Sequence, residues 1–588
     1  MAVTRAQSLG GLAVATALAA CMPLAGLPAF YDSFFYVVFY WIALATSWAL
    51  LSGFAGYFSL GHAAFMGAGM YTSATLSLKA GWPFLTTIPA AAAVAAALGS
   101  LIGLLVFRQS RLRGELFALM TLAVTFILAT VILNTPIDGG SGVFLSSVPP
   151  PQLVESQTAS IYLLGLIIAA GAVGIAWWVY HSRFGLGLFA IADDEDVAEV
   201  KGVPTCRYKM LAFALSSAIA GAMGGVHAMY VGFLTVNETF GIAVPLSVIL
   251  MSVLGGARHW LGPAIGATLI TVALFGFASA GQAVLGRAVI AAMLIVAVLM
   301  LPEGIVPTWL ERMRRNRVKQ AAAAAPPAAA ETSAAPAATA TAPARRTEGR
   351  TVLTIDNVRK SFGGLQALRG ANLEVHEGEI LGLIGPNGCG KTTLINMITG
   401  HLPLTSGRIA LDGATISGLP AHRIARAGVA RTYQIPRPFA HLTTLENVEM
   451  CARFGGGDAG HEDAMRWLAF CALDHRAQAI PAELNLRERK VLELARALAA
   501  RPRILLLDEV MSGLNPAEVD TAIRLVRQIR DRGTTIVFVE HLMRAVVQLS
   551  DRVAVMNQGE MLTLGTPDEV MRDPRVVEVY FGEATHAA

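Results

Sequence analysis

Up to about Leu301 the chain consists of long apolar runs broken by short polar or glycine-bearing segments. From Thr351 onward the apolar runs are short and alternate with amphipathic stretches. A helix that crosses a bilayer needs roughly 20 mostly apolar residues. About ten stretches meet that requirement: 9–29, 34–52, 58–78, 85–107, 115–134, 159–180, 210–232, 241–257, 262–280 and 284–301. The first follows Arg5 and exceeds the apolar region of a cleaved signal, so an uncleaved helix is expected. The least regular is 53–69, where closely spaced glycines leave a broken or re-entrant segment as the alternative to a straight span.

Lys and Arg in the short connections set the orientation. With the N-terminus inside, one side holds Arg5, Arg108, Arg111, Arg113, Arg183, Lys201, Arg207, Lys209, Arg258 and the run from Arg312 to Lys319. The other side holds only Lys79 and Arg287. An even number of spans places everything beyond the last one on the basic, cytoplasmic side. Residues 320–350 are almost wholly Ala, Pro, Thr and Ser and end near Arg345 and Arg346; such a stretch has nothing to bury and reads as a tether. After it, strand-like and helix-like runs alternate as in an α/β domain, with room for an inserted helical subdomain. The expected organisation is a polytopic α-helical membrane domain over 1–310, a basic then Ala/Pro-rich linker over 311–350, and an α/β phosphate-loop domain over 351–588.

Composition sharpens this picture. Of the 588 residues 54% are hydrophobic and only 15% charged, which excludes an ordinary soluble protein. A net charge of +4 is too small to argue for nucleic acid, and none is expected as a partner. Cys21, Cys206, Cys389, Cys451 and Cys471 are widely spaced and odd in number, so free thiols are expected.

The candidate chemistry begins at Gly385-Pro386-Asn387-Gly388-Cys389-Gly390-Lys391-Thr392-Thr393, which fills G-x-x-x-x-G-K-S/T between an apolar strand and a helix. Backbone amides from Gly388 to Thr392 cradle phosphates in such a loop, Lys391 adds a point charge, and the Thr392 hydroxyl reaches Mg²⁺. The apolar strand from Ile504 ends in Asp508 and Glu509: the first is suited to hold Mg²⁺, the second to orient or deprotonate water. His541 follows another apolar strand, where it can sense the terminal phosphate. Gln434 can reach Mg²⁺ and the water, and Phe362 is placed to stack on adenine, with a core aromatic as its alternative. ATP and Mg²⁺ are therefore the expected cofactors. In the membrane half, His62 reads either as a functional ionisable group or as a satisfied packing residue.

This order of motifs resembles the ATPase domain of ABC transporters, and in detail that of branched-chain amino acid importers. The strings are Ser361-Phe362-Gly363-Gly364-Leu365, Arg431-Thr432-Tyr433-Gln434, Ser512-Gly513-Leu514-Asn515-Pro516, Val539-Glu540-His541, Gly565-Thr566-Pro567 and Val579-Tyr580-Phe581-Gly582. Residues 1–310 resemble the matching permease through Tyr208-Lys209-Met210-Leu211-Ala212-Phe213, Gly255-Gly256 and Gly262-Pro263-Ala264-Ile265-Gly266. The resemblance implies a coupling loop over 181–209, with Asp194, Glu195, Ala198, Glu199 and Gly202, which docks on the ATPase near Gln434. It also implies a second permease, a second ATPase, an extracytoplasmic solute-binding protein and a bacterial inner-membrane location. One departure stands out. Where the family signature Leu-Ser-Gly-Gly-Gln belongs, this chain has Leu484-Asn485-Leu486-Arg487-Glu488, without either glycine. Because the signature serves a partner's nucleotide, the second ATPase is expected to carry an intact one. The resemblance implies an ATP-driven importer of branched-chain or related amino acids. The same importer class acting on urea, amides or small carboxylates, an exporter half-transporter and an ATP-dependent membrane sensor are the competing readings.

Overall fold

The computed structural model describes residues 5–25, 28–108, 113–154, 156–279, 288–289, 292, 295, 299–301, 303–313, 349–456 and 460–581. The chain divides into two compact units, Met1–Ala192 with Cys206–Ser333, and Asp193–Thr205 with Ala334–Ala588.

In the first unit eight helices among the described residues are long and apolar enough to cross a membrane. They are Ala6–Leu24, Ala29–Leu51, Phe84–Val106, Glu115–Leu133, Gln157–Tyr180, Thr205–Val231, Val236–Gly255 and Gly262–Ser279. The count is lower than the sequence suggested for two reasons. The span expected at 284–301 falls mostly outside the described residues. The span expected at 58–78 becomes the helix His62–Lys79, since residues 53–61 are not helical, and with His62, Thr72, Ser73, Thr75, Ser77 and Lys79 it is too polar to be among the eight. Irregular backbone of this kind is stable at membrane depth only when protein groups satisfy it. Here Trp48 Nε1 donates to Ser59 O at 2.8 Å, and Leu60 N donates to Thr121 Oγ1 at 3.0 Å. His62 is buried and hydrogen-bonded to Ser47 Oγ at 2.7 Å, the arrangement of a satisfied packing residue.

Small residues let these helices approach closely. A Cβ at Gly69 would sit 2.1 Å from Gly221 O, and one at Gly224 would sit 2.1 Å from Met66 O. The helices His62–Lys79 and Thr205–Val231 therefore cross in backbone contact.

The second unit is built on two sheets. A six-stranded sheet runs in the order Glu560–Gly565, Arg552–Asn557, Ile380–Ile384, Thr535–Val539, Ile504–Asp508, Val429–Arg431, and all neighbours but the first pair are parallel. A four-stranded antiparallel sheet contains Leu365–His376, Thr351–Phe362, Ser406–Leu411 and Ala414–Thr415. Leu381, Leu383, Ile504, Leu506, Val537 and Val539 of the first sheet share one buried core with Ile355, Val358 and Leu373 of the second. The parallel strands are buried on both faces, which is why each is an unbroken apolar run. Between Val429–Arg431 and Ile504–Asp508 lies the inserted helical subdomain, with Thr444–Gly455, His461–Phe470 and Leu486–Ala499.

Candidate functional site

In an open parallel sheet, ligands bind beyond the carboxyl ends of the strands. Four neighbouring strands here end in the four motifs found in the sequence. Val539 lies opposite both Leu383 and Asp508, and Arg431 lies opposite Leu506, so their carboxyl ends are level. The phosphate loop, Glu509, His541 and Gln434 emerge along that one edge.

The loop between Ile380–Ile384 and Lys391–Ile398 owes its shape to its glycines. Gly385, Gly388 and Gly390 have φ of 153°, 81° and 109°, all positive. A Cβ at Gly385 would also meet Met556 O at 2.2 Å. Asn387 and Gly388 are exposed, Cys389 is buried beneath them, and Thr392 is exposed on the first helical turn with Thr393 half-buried beside it. Lys391 is 7% exposed, and its Nζ donates to Gly385 O at 2.7 Å and Pro386 O at 3.0 Å. The loop thus surrounds one cation and heads a helix, the arrangement that suits a phosphate chain.

Glu509 has φ of 48°, which turns the chain sharply out of its strand while its N donates to Val539 O at 2.9 Å. Both carboxylate oxygens are engaged: Gln434 Nε2 donates to Oε2 at 2.7 Å, and His541 Nε2 lies 3.1 Å from Oε1. Asp508 is 2% exposed. Burial pushes its carboxyl above the usual range, Arg431 Nη2 at 3.7 Å opposes that rise, and neighbouring Glu509 adds to it. A carboxylate in that position favours a divalent cation, and the Thr392 hydroxyl and the Gln434 carboxamide oxygen are further oxygen donors of the kind Mg²⁺ prefers. Phe362 is 46% exposed at its hairpin end, with Lys360 Nζ 5.0 Å from the ring centroid, so it is not a core aromatic. A cleft of about 400 Å³ borders Glu509 and His541 and continues past Ser512, Gly513 and Leu514.

The string 484–488 contributes none of these contacts. Asn485 caps the helix Leu486–Ala499: its side chain accepts from Glu488 N at 2.8 Å, and Glu488 Oε2 accepts from Asn485 N at 2.9 Å. Leu484 is buried, Leu486 is 57% exposed, and Arg487 Nε lies 4.0 Å from Glu518.

The segment Asp193–Thr205 packs within the second unit. Asp194 caps the helix Glu195–Val200 by accepting from Val197 N at 3.0 Å, and pairs with Arg437 Nη2 at 2.6 Å. Glu195 occupies the first turn, where the helix dipole favours an acid. Ala198 is fully buried, Glu199 lies 3.7 Å from His422 Nδ1, and Asp193 accepts from His441 N at 2.9 Å. Gly202 has φ of 102°, and a Cβ there would sit 2.5 Å from Phe454 O.

The roles of several residues escaped the sequence reading. Glu540 accepts from Met511 N at 2.8 Å and so braces the turn behind Glu509; burial raises its carboxyl. Arg431 joins Asp508 to Asn396. Lys201, counted only as a loop charge that orients the membrane domain, is 4% exposed. Glu493 and Arg496, three residues apart among Leu and Ala, were the available signal for a buried charge pair.

Comparison with known proteins adds three family matches. Residues 30–299 match the branched-chain amino acid transport system permease component, residues 368–512 match ABC transporter, and residues 560–586 match branched-chain amino acid ATP-binding cassette transporter. The chain is 39% identical over 253 residues to the high-affinity branched-chain amino acid transport ATP-binding protein BraF of Pseudomonas aeruginosa, covering 40% of this chain and 99% of that protein. It is 37% identical over 251 residues to LivG of Escherichia coli, which bears the same description (40% and 98% covered). It is also 33% identical over 234 residues to the lipopolysaccharide export system ATP-binding protein LptB of Escherichia coli (39% and 97%). A solved nucleotide-free ATP-binding cassette from an ABC transporter matches with 30% identity and a TM-score of 0.37, over 40% of this chain and all of that one.

Proposed function

This chain belongs to the branched-chain amino acid ABC transporter family, and we propose that it is a fused permease and ATPase subunit that drives branched-chain amino acids into the cytoplasm. One observation carries the reading: a branched-chain amino acid permease component at 30–299 and an ABC cassette at 368–512 occupy one chain. The cassette alone does not give direction, since it is also similar to an export system's ATPase.

The residues divide the chemistry among them. The amides of 388–392 and the Lys391 ammonium bind the phosphates of ATP, and Phe362 stacks on adenine. Thr392, Asp508 and Gln434 are the residues that would hold Mg²⁺, which would neutralise phosphate charge. Glu509 orients water and accepts its proton as the water oxygen attacks the γ-phosphorus and the bond to the bridging oxygen breaks. His541 and Gln434 fix the Glu509 carboxylate for that step. The loop 193–205 carries closure of the ATPase to the permease. Leu486 and Arg487 supply bulk where the family signature has glycines, so the site completed by this chain's 484–488 is weak. A second ATPase with an intact signature, a second permease and an extracytoplasmic binding protein complete the transporter. Its seat is a bacterial inner membrane, and the distribution of basic residues in the connections favours the ATPase on the inner side.

The test is ATP hydrolysis by the reconstituted complex with its partner subunits and binding protein, against leucine, isoleucine, valine, phenylalanine and urea. Stimulation by an aliphatic amino acid, lost in Glu509→Gln, is the expected result. Stimulation by urea alone would replace the substrate class. No stimulation by any ligand whose binding is verified would overturn the importer.

A further inference from the structure

Lys201 follows the short helix Glu195–Val200, and its side chain is 3% exposed. Its Nζ donates to Arg431 O at 2.8 Å and to Glu493 Oε1 at 2.8 Å. Glu493 Oε2 accepts from Arg496 Nη1 at 2.6 Å, and the same nitrogen donates to Arg437 O at 2.8 Å. Arg496 is fully buried, with its guanidinium 4.5 Å from the Phe439 ring centroid. One ammonium therefore ties the loop to two elements: the strand that leads to Gln434, and the helix Leu486–Ala499 that carries 484–488 at its start.

The chemistry of this slot is selective. Glu493 and Arg496 already neutralise each other, so the slot exists without a third charge. What remains is one carboxylate oxygen and one backbone carbonyl aimed at the same point, which only a hydrogen-bond donor satisfies. An apolar side chain would strand both acceptors in a dry site, and an acid would face Glu493; either costs far more than losing an exposed ion pair. Two other ion pairs of the segment, to Arg437 and His441, have partners 46% and 49% exposed, and such exposed pairs contribute little; Glu199 and His422, 3.7 Å apart, are half-buried.

We propose that Lys201 is the positioning residue that docks loop 193–205, and that the slot formed by Arg431 O, Glu493 and Arg496 selects permease loops bearing a basic side chain at this point. The ATPase is thereby matched to the loop of its own chain. The inference rests on reading 193–205 as the coupling loop.

The full chain is tested in its membrane, with a protease site inserted between residues 320 and 344. After cleavage the ATPase half stays with the sedimented membranes if docking holds. The parent is expected to retain it, and Lys201→Met and Glu493→Gln each to lose it by roughly tenfold or more, as removal of one buried partner implies. The double variant is expected to retain about as much as the weaker single variant, because both substitutions remove the same Lys201–Glu493 contact. Lys201→Arg, which restores a donor, is expected to recover part of the retention. The proposal is overturned if the parent releases its ATPase half, if Lys201→Met retains it, if the single losses add, or if Lys201→Met loses nucleotide binding as well and so unfolds the cassette. Amino acid stimulation is not read in this assay. An importer reading that fails in reconstitution leaves the retention pattern to be judged by itself.

Discussion

Glu509 holds a left-handed backbone conformation that a non-glycine residue adopts only when its surroundings impose it, at a cost of about 1–3 kcal/mol. Its main-chain bond to Val539 O and the clamp by Gln434 and His541 impose it here. The strain places the carboxylate beyond the strand edge. Glu509→Gln keeps the shape and removes the base, so phosphate release should fall by about 10²–10⁴ while nucleotide binding persists. Phosphate release above a tenth of the parent rate would contradict this role. His541→Ala acts through Glu509, and a smaller fall is expected in the same assay. The sequence located each of these residues by its motif. It did not reveal that Gln434 and His541 meet on opposite oxygens of one carboxylate, because they lie far apart in the chain and only the strand order brings them together.

Two elements set the behaviour of the helical subdomain. The helix Leu486–Ala499 begins with the reciprocal cap of Asn485 and Glu488. Asn485→Ala should lower its stability by about 1 kcal/mol, read as a lower melting temperature of the cassette. Leu486→Gly with Arg487→Gly would recreate the family glycines at a helical cost of about 1 kcal/mol for each. A rise in hydrolysis by the homodimer despite that cost is the expected outcome, and unchanged hydrolysis would remove 484–488 as the reason for a weak site. Further along the same helix, burial alone would raise the Glu493 carboxyl, but Arg496 and Lys201 outweigh it and hold it below the usual range. The unfolded chain then binds that proton more readily than the folded one. The stabilisation is complete above the ordinary glutamate value of about 4.3 and is lost as pH falls through the depressed one. Lys201→Met removes one of the two cations, so acid opening of this helix should begin at higher pH, as read by its amide hydrogen exchange. The same onset in variant and parent would refute the pairing.

At the scale of the molecule, the fused chain supplies one permease and one ATPase, and the altered signature is proposed to make its pairing with itself unproductive. The purified chain alone should hydrolyse ATP slowly, and a partner ATPase with Leu-Ser-Gly-Gly-Gln should raise the rate at the site built on Lys391 and Glu509. Full transporter rates from the chain alone would contradict the asymmetric pair. The hydropathy pattern exposed the division into membrane and cassette halves, since apolar runs of membrane length do not occur in soluble domains. At 58–78 the helix begins only at His62; the glycines of 53–61 left such a break open, and the groups from Trp48 and Thr121 that support it lie elsewhere in the sequence.

Local chemistry determined what could be read from the sequence alone: the phosphate loop, the strand ending in Asp508 and Glu509, the apolar spans and the Pro/Ala tether each carry their physical requirement in adjacent residues. Tertiary structure alone decided the rest. Asp193–Thr205 lies within the membrane half of the sequence yet packs with the cassette, and Lys201 reaches Glu493 across 292 positions of the chain. No local pattern announces such a contact, because a lysine in a cytoplasmic loop looks like any solvated charge until the fold removes the water around it.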